Sequence, residues 1–310
     1  MTASAPALIV LWREILLPCI ECGSGGDGID DLFLPTGKTW WFSSYSEFQW
    51  TYLSARTERL DQVRLGYFDD DQRCDVLTQS DSEWVISSGG TGEWHSIGAF
   101  GAPLDEVVFG QFDPNVRDHT PGATRRTTHA FWRTQNGVWL VTPSSAPDWR
   151  EVQSSSFPMS KLRFGDFTGD GVTDVLAVQN GRWSISESGS SPWQIVNQSL
   201  SDDVRSPYIA DLNNNNIDDL IKLQHTFGFG SETFTWWISD DSRSPWRKLK
   251  TYSFPYFQNS SIPVFAFAGR FGVAPGGGVL LIDQHRIGHF FSEGEIPAGV
   301  SPDWASLFPY

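Results

Sequence analysis

Carboxylates on alternate residues carry the clearest chemistry in this chain. Between Phe164 and Leu176 they fall at Asp166, Asp170 and Asp174, with Thr168 and Val172 at the positions between. Oxygen ligands on every second residue, wrapped round a glycine such as Gly171 that permits a sharp turn, suit a hard cation of calcium size. Without a cation, three carboxylates packed this closely would repel one another. Apolar residues flank the loop, Phe164 before it and Val175 and Leu176 after it, and read as strands entering and leaving the turn. The stretch is therefore expected to be a calcium-clamped β-hairpin.

The pattern recurs. Asp211, Asn213, Asn215, Ile217 and Asp219 repeat the alternation, with Asn216 taking the turn because Asn tolerates positive φ. Asp69, Asp71 and Asp75 keep the frame, but Tyr67 stands at the position of Asp166. Asp27 and Asp31 keep only the second half, since Gly23 and Gly25 occupy the first two ligand positions. Two loops are complete and two partial, all four read as Ca2+ sites.

The elements that must position these loops are legible in the tryptophans. Pairs ten residues apart occur at Trp40 and Trp50, Trp84 and Trp94, Trp139 and Trp149, Trp183 and Trp193, and Trp236 and Trp246. A sixth unit, His289 to Ser292, is followed by Trp304, displaced by an insertion that contains Pro297 and Pro302. The first members lie between 44 and 55 residues apart. A period of that size with four strand signals per unit is expected of one β-propeller blade per repeat. In the fourth unit the strands are expected at Leu162 to Phe167, Asp174 to Gln179, Arg182 to Glu187 and Trp193 to Val196, with Asn180-Gly181 as a hairpin turn. The expected fold is all-β, a single propeller over residues 15–310 with six four-stranded blades, seven being the alternative. Residues 1–14 would be an N-terminal segment that forms an extra or ring-closing strand.

Composition agrees with short strands and tight turns: 15 Trp and 22 Phe against 2 Met, with 29 Gly and 18 Pro. A net charge of −15 disfavours nucleic acid and anionic membranes as partners. The N-terminal apolar runs are split by Arg13 and Glu14 and are too short to span a bilayer, so no membrane insertion and no signal peptide are expected in this chain. Pro18 stands where a lipoprotein cleavage box needs a small residue. Cys19, Cys22 and Cys74 are an odd count, short of a full disulfide framework, and Cys19 and Cys22 read as small side chains near a strand end.

Phe164 to Leu176, with the trailing Asn180-Gly181-Arg182-Trp183 and Ser191-Pro192-Trp193, resembles the FG-GAP/VCBS repeat of bacterial secreted proteins and of the integrin α-subunit propeller. The resemblance covers residues 15 to 310 and is weakest in the third and sixth units. It implies a β-propeller whose blade loops bind calcium, a ligand-binding or adhesion module outside the cell.

The repeated tryptophans read first as blade-to-blade packing. Trp12, Trp41, Trp132 and Trp237 are extra to the repeat and are the candidates for stacking on sugar rings. Two insertions are candidates for recognition: Asn115 to Thr128, and His225 to Glu232 in the middle turn of the fifth unit. In the third unit, counting back from Trp139 puts Ala130 at the place of Asp174. The sixth replaces its loop with the carboxylate-free Gly272 to Gly278.

No HExxH, serine elbow or phosphate-cradling loop accompanies the six histidines, and no catalytic residue is assigned. The expected function is a calcium-stabilised extracellular module, monomeric, that binds glycans or cell-surface proteins in the manner of a lectin or adhesion domain. The alternatives are a glycosidase or lyase on the same scaffold, and a structural propeller from a longer secreted protein.

Overall fold

The computed structural model describes residues 17–18, 31–43, 50–69, 71, 73–113, 128–197, 208–227, 231–255, 263–269, 278–283 and 288–292. The N-terminal segment 1–14, Trp12, Asp27, Cys19, Cys22, the insertion 115–127, the loop 272–277 and Trp304 lie outside them. The described residues form small antiparallel sheets arranged as a β-propeller, and each sheet is a meander of strands in chain order.

Five sheets have four strands and one has three. The expectation of six four-stranded blades is therefore corrected: there are five, and Pro263–Gly269, Gly278–Asp283 and Gly288–Ser292 make a three-stranded sheet after them. The sixth unit is the one whose second tryptophan is displaced by a proline-bearing insertion. Blade 4 follows its sequence closely, with strands Arg163–Gly165, Asp174–Gln179, Arg182–Ser186 and Gln194–Asn197. Asn180 takes positive φ in the two-residue turn, as the Asn-Gly pair requires.

The tryptophans pack across blades and in one direction. Trp40 of blade 1 meets Trp94 of blade 2 edge to face at 5.6 Å, and Trp84 meets Trp149 of blade 3 at 6.4 Å. Trp139 meets Trp193 of blade 4 at 5.7 Å, and Trp183 meets Trp246 of blade 5 at 5.5 Å. The first member of every pair is completely buried, and in blades 2 to 5 the second member lies on the opposite side of its sheet, at the interface with the preceding blade. The serine that closes each Trp-x-x-Ser is architectural too. Ser87, Ser186 and Ser239 end the third strand and donate to the carbonyls of Gly92, Ser191 and Ser244 at 2.6, 2.6 and 2.5 Å. Each bond closes the turn into the outer strand.

A second contact joins consecutive blades at their loop ends. The residue after the first strand of one blade exchanges two hydrogen bonds with a residue of the next: Tyr67 with Thr128, Gln111 with Thr173, and Asp166 with Asp218. In each pair one bond joins the two backbones, and the other runs from the first backbone N–H to a side-chain oxygen of the next blade. This clasp explains the glycine that ends those first strands. A Cβ at Gly165 would lie 2.8 Å from Asp218 Oδ2, and one at Gly110 would lie 2.7 Å from Thr173 Oγ1.

Register corrects the third unit. His129 pairs with Gly110 as Asp174 pairs with Gly165, so His129, and not Ala130, stands at the last ligand position. The hairpin before Trp139 holds one residue more than its counterpart in blade 4, and counting back from the tryptophan therefore slips by one. His129 is 5% exposed and Ala130 fully buried. Cys74 is disulfide-bonded, and the two other cysteines of the chain lie outside the described residues.

Candidate metal centres at the blade tips

The last aspartate of each loop begins the second strand of its blade and is wholly buried at Asp75, Asp174 and Asp219. Asp31, at the same place in blade 1, is 2% exposed. The three fully buried carboxylates share one set of bonds. Oδ2 accepts the backbone N–H of a loop residue seven positions back: Phe68 at 2.9 Å, Phe167 at 3.1 Å and Leu212 at 2.9 Å. Oδ1 accepts the N–H of the turn that follows the third strand, from Gly89, Ser188 and Asp241 at 2.9, 2.8 and 2.7 Å. Those turn residues sit at φ of 57°, 48° and 53°, the left-handed conformation that aims the N–H inward. One carboxylate thus latches the end of the first strand to the end of the third.

Burial sets the electrostatics. It pushes Asp75 up to about 6, and Asp174 and Asp219 up to about 7, in each case against the backbone N–H groups that favour the charged form. Neighbouring carboxylates add to the rise: Asp69 and Asp71 beside Asp75, Asp166 and Asp170 beside Asp174, and Asp240 and Asp211 beside Asp219.

The remaining ligand positions differ between blades. In blade 2, Asp69, Asp71 and Asp75 bring one carboxylate oxygen each to within 4.8 Å of one another, the only such trio among the described residues. Ser88 Oγ donates to Asp69 at 2.6 Å, and Asp69 also accepts the N–H of Asp71. Burial works to raise the Asp69 carboxyl, and these two bonds, together with a side-chain interaction with Asp71 and the charge of His95, outweigh it and leave it below its ordinary value.

In blade 4 the loop closes on Asp166 instead. Its Oδ1 accepts the N–H groups of Thr168, Gly169 and Asp170, and its Oδ2 that of Gly171 at 2.7 Å. Thr168 Oγ1 donates to Asp174 at 3.0 Å, and Asp170 caps the N–H of Val172. In blade 5 Asp211 accepts from Asn215 and Asn216, Asn213 and Asn215 cap the N–H groups of Asn215 and Ile217, and Asn215 Nδ2 donates to Asp241 at 2.6 Å. These two loops, the fullest in sequence, answer their negative charge with inward-pointing N–H groups.

Sequence reading missed the turn donors Gly89, Ser188 and Asp241, each two residues beyond the serine of Trp-x-x-Ser, a spacing that could have flagged them. It also missed Asp218, which reaches back to Asp166. Of the extra tryptophans, Trp41 packs on Tyr52 at 5.3 Å, Trp132 donates to Glu106 at 3.1 Å, and Trp237 donates to Gln224 at 3.0 Å.

No protein-family model matches the chain, and no curated protein matches it. Among solved structures it is similar to the Tc holotoxin pore of Photorhabdus luminescens, with 12% identity and a TM-score of 0.51 over 89% of this chain. That match covers 14% of the toxin chain. It is also similar to the SapL1 lectin in complex with alpha methyl fucoside, at 10% identity and TM-score 0.44 over 93% of this chain and 97% of that one. A further match is the WD40 domain of SCAP from fission yeast, at 10% identity and TM-score 0.39 over 93% and 89% of the two chains. At such identities the likeness is one of fold.

Proposed function

We propose that this chain is a calcium-stabilised β-propeller binding module that recognises glycans or cell-surface proteins outside the cell. The observation that carries the calcium reading is the convergence of Asp69, Asp71 and Asp75. Oxygens within 4.8 Å of one another can all lie at the roughly 2.3–2.6 Å that calcium takes from its ligands. These residues fit the ion, which would offset their mutual repulsion and the cost of burying Asp75. Its role there is to brace the tip where three strands of blade 2 meet. Asp166, Thr168, Asp170, Val172 and Asp174, and Asp211, Asn213, Asn215, Ile217 and Asp219, are the further proposed sites, at which the ion would compete with N–H groups already bonded to the carboxylates. For blade 1 the proposed partial site is Asp31, with Asp27, which lies outside the described residues.

The disulfide at Cys74 supports an oxidising, extracellular address. The binding half rests on the scaffold, a rigid repeat with irregular insertions, where recognition residues concentrate. The test is a glycan and surface-protein array probed with the chain in calcium and in chelator, beside melting curves in both. Calcium-dependent capture and a higher melting temperature in calcium are expected. Identical melting removes the ion from the reading, and an array without capture removes the binding function.

A further inference from the structure

The clasp between consecutive blades has a different residue at the first joint. In the three hydrogen-bonded clasps, the side chain that reaches across stands immediately before the last loop position: Thr128 before His129, Thr173 before Asp174, and Asp218 before Asp219. In blade 2 that place is held by Cys74, directly before Asp75, and Cys74 is disulfide-bonded. It is buried in one cluster with Phe33 and Trp40 of blade 1, so it faces the preceding blade as the two threonines and Asp218 do.

Opposite each of those side chains is the glycine that ends the first strand of the preceding blade. Gly66, Gly110 and Gly165 each pair, within their own sheets, with the last loop position, Asp75, His129 and Asp174. A Cβ at these glycines would stand 2.9 Å from Thr128 Oγ1, 2.7 Å from Thr173 Oγ1 and 2.8 Å from Asp218 Oδ2. Unbonded atoms do not tolerate that approach. Across a disulfide, by contrast, roughly 3 Å separates a Cβ from the partner's sulfur, because the S–S bond is only about 2.05 Å long. In blade 1 the first strand is Leu17–Pro18 and Pro18 pairs with Leu32, so the next register position, opposite Asp31, falls to Cys19. Counting back nine residues from Asp31, the loop length of blades 2 and 4 (75−66 and 174−165), would give Cys22 instead. Strand pairing decides for Cys19.

From this register we infer that Cys19 and Cys74 form the disulfide, a covalent clasp that ties blade 1 to blade 2 where the following joints use hydrogen bonds, and that Cys22 remains a thiol. Cys19 and Cys22 lie outside the described residues, and their assignment rests on the strand before them and on the place of Cys74. The first strand of blade 1 has two residues, against three or four in blades 2 to 5, and is held by a correspondingly short ladder. A bond that closes a loop of about 55 residues (74−19) offsets this by restricting the unfolded chain. The same bond fixes the residue next to Asp75, and with it one flank of the carboxylate trio. The cross-link stands whether or not an ion binds there.

The test is peptide mapping of the whole oxidised chain. Free thiols are alkylated without reduction, and cleavage after Glu14 and Glu21 separates the two N-terminal cysteines. Mass spectrometry is expected to show the peptide Ile15 to Glu21 joined to the one that holds Cys74, with Cys22 alkylated. A link between Cys22 and Cys74, or an alkylated Cys19, overturns the pairing. Melting curves test the clasp itself. Cys22→Ser is expected to melt with the oxidised wild type and to lose about 5–10 °C on reduction. Cys19→Gly combined with Cys74→Thr places at this joint the glycine and threonine of the next two. That double variant is expected to ignore reductant and to melt above the reduced wild type. A Cys22→Ser chain indifferent to reductant, or a double variant that melts no higher than the reduced wild type, overturns the covalent clasp. Should the double variant not be obtained folded, the peptide map and Cys22→Ser decide.

Discussion

Stability against pH in the presence of chelator follows from the three buried carboxylates. Asp174 and Asp219 stand at about 7 in the fold and Asp75 at about 6, against an ordinary value of 3.8. A carboxyl raised on folding binds its proton more tightly in the folded chain than in the unfolded one. Stability is therefore greatest in acid and falls as pH rises from about 4 through the folded-state values. Each unit of displacement corresponds to about 1.4 kcal/mol. Between pH 5 and pH 8 Asp174 and Asp219 would each remove at most about 3 kcal/mol, and Asp75 about 1 kcal/mol. These are sizeable fractions of a total stability that is typically about 5–15 kcal/mol. Urea midpoints measured in chelator should thus decline between these pH values. Millimolar calcium should flatten or reverse the decline, because a bound cation favours the ionised carboxylates. A midpoint in chelator that holds steady or rises over this interval would refute the account of buried, cation-free carboxylates at the tips.

Other consequences are testable by single substitutions. Gly165→Ala drives a methyl against Asp218 Oδ2 and Ile209, both 2.8 Å away, and should cost about 2 kcal/mol in urea titration. Thr173→Val keeps the shape but removes the acceptor for the Gln111 N–H, so a loss of about 1–2 kcal/mol is expected, with faster amide exchange at Gln111. Trp183→Ala empties the interface of blades 4 and 5 and should cost about 3–5 kcal/mol by the same titration.

Much of this architecture was legible because repetition multiplies weak local signals. A Trp-x-x-Ser is uninformative once, but five tryptophan pairs in one register can only describe stacked sheets. The strands of blade 4 could be read almost to the residue, since Asn180-Gly181 fixes one turn and the loop from Asp166 to Asp174 another. Harder to see was anything that depends on which residues meet across blades. Asp166 looks like a metal ligand in sequence, yet its oxygens face four N–H groups of its own loop, and only the folded backbone shows where those groups point. His129 was misplaced because one additional hairpin residue shifts register without altering the tryptophan pattern. The less complete motif, Asp69 to Asp75, brings its carboxylates closest, since convergence depends on backbone path and not on the number of acidic letters.

The direction of the tryptophan contacts has its own consequence. Blades 1 to 4 each present a buried Trp to the blade that follows, and blades 2 to 5 each receive one, so the joint is head to tail and blades 2 to 4 are both plug and socket. Such a joint is saturated only in a closed ring. Cut after blade 4, the chain would end in a Trp183 stripped of Trp246, while Trp50 of blade 1 stands at the sequence position that receives a preceding Trp in blades 2 to 5, and copies could add to one another without limit. Fragments of this propeller should accordingly polymerise rather than persist as smaller soluble pieces.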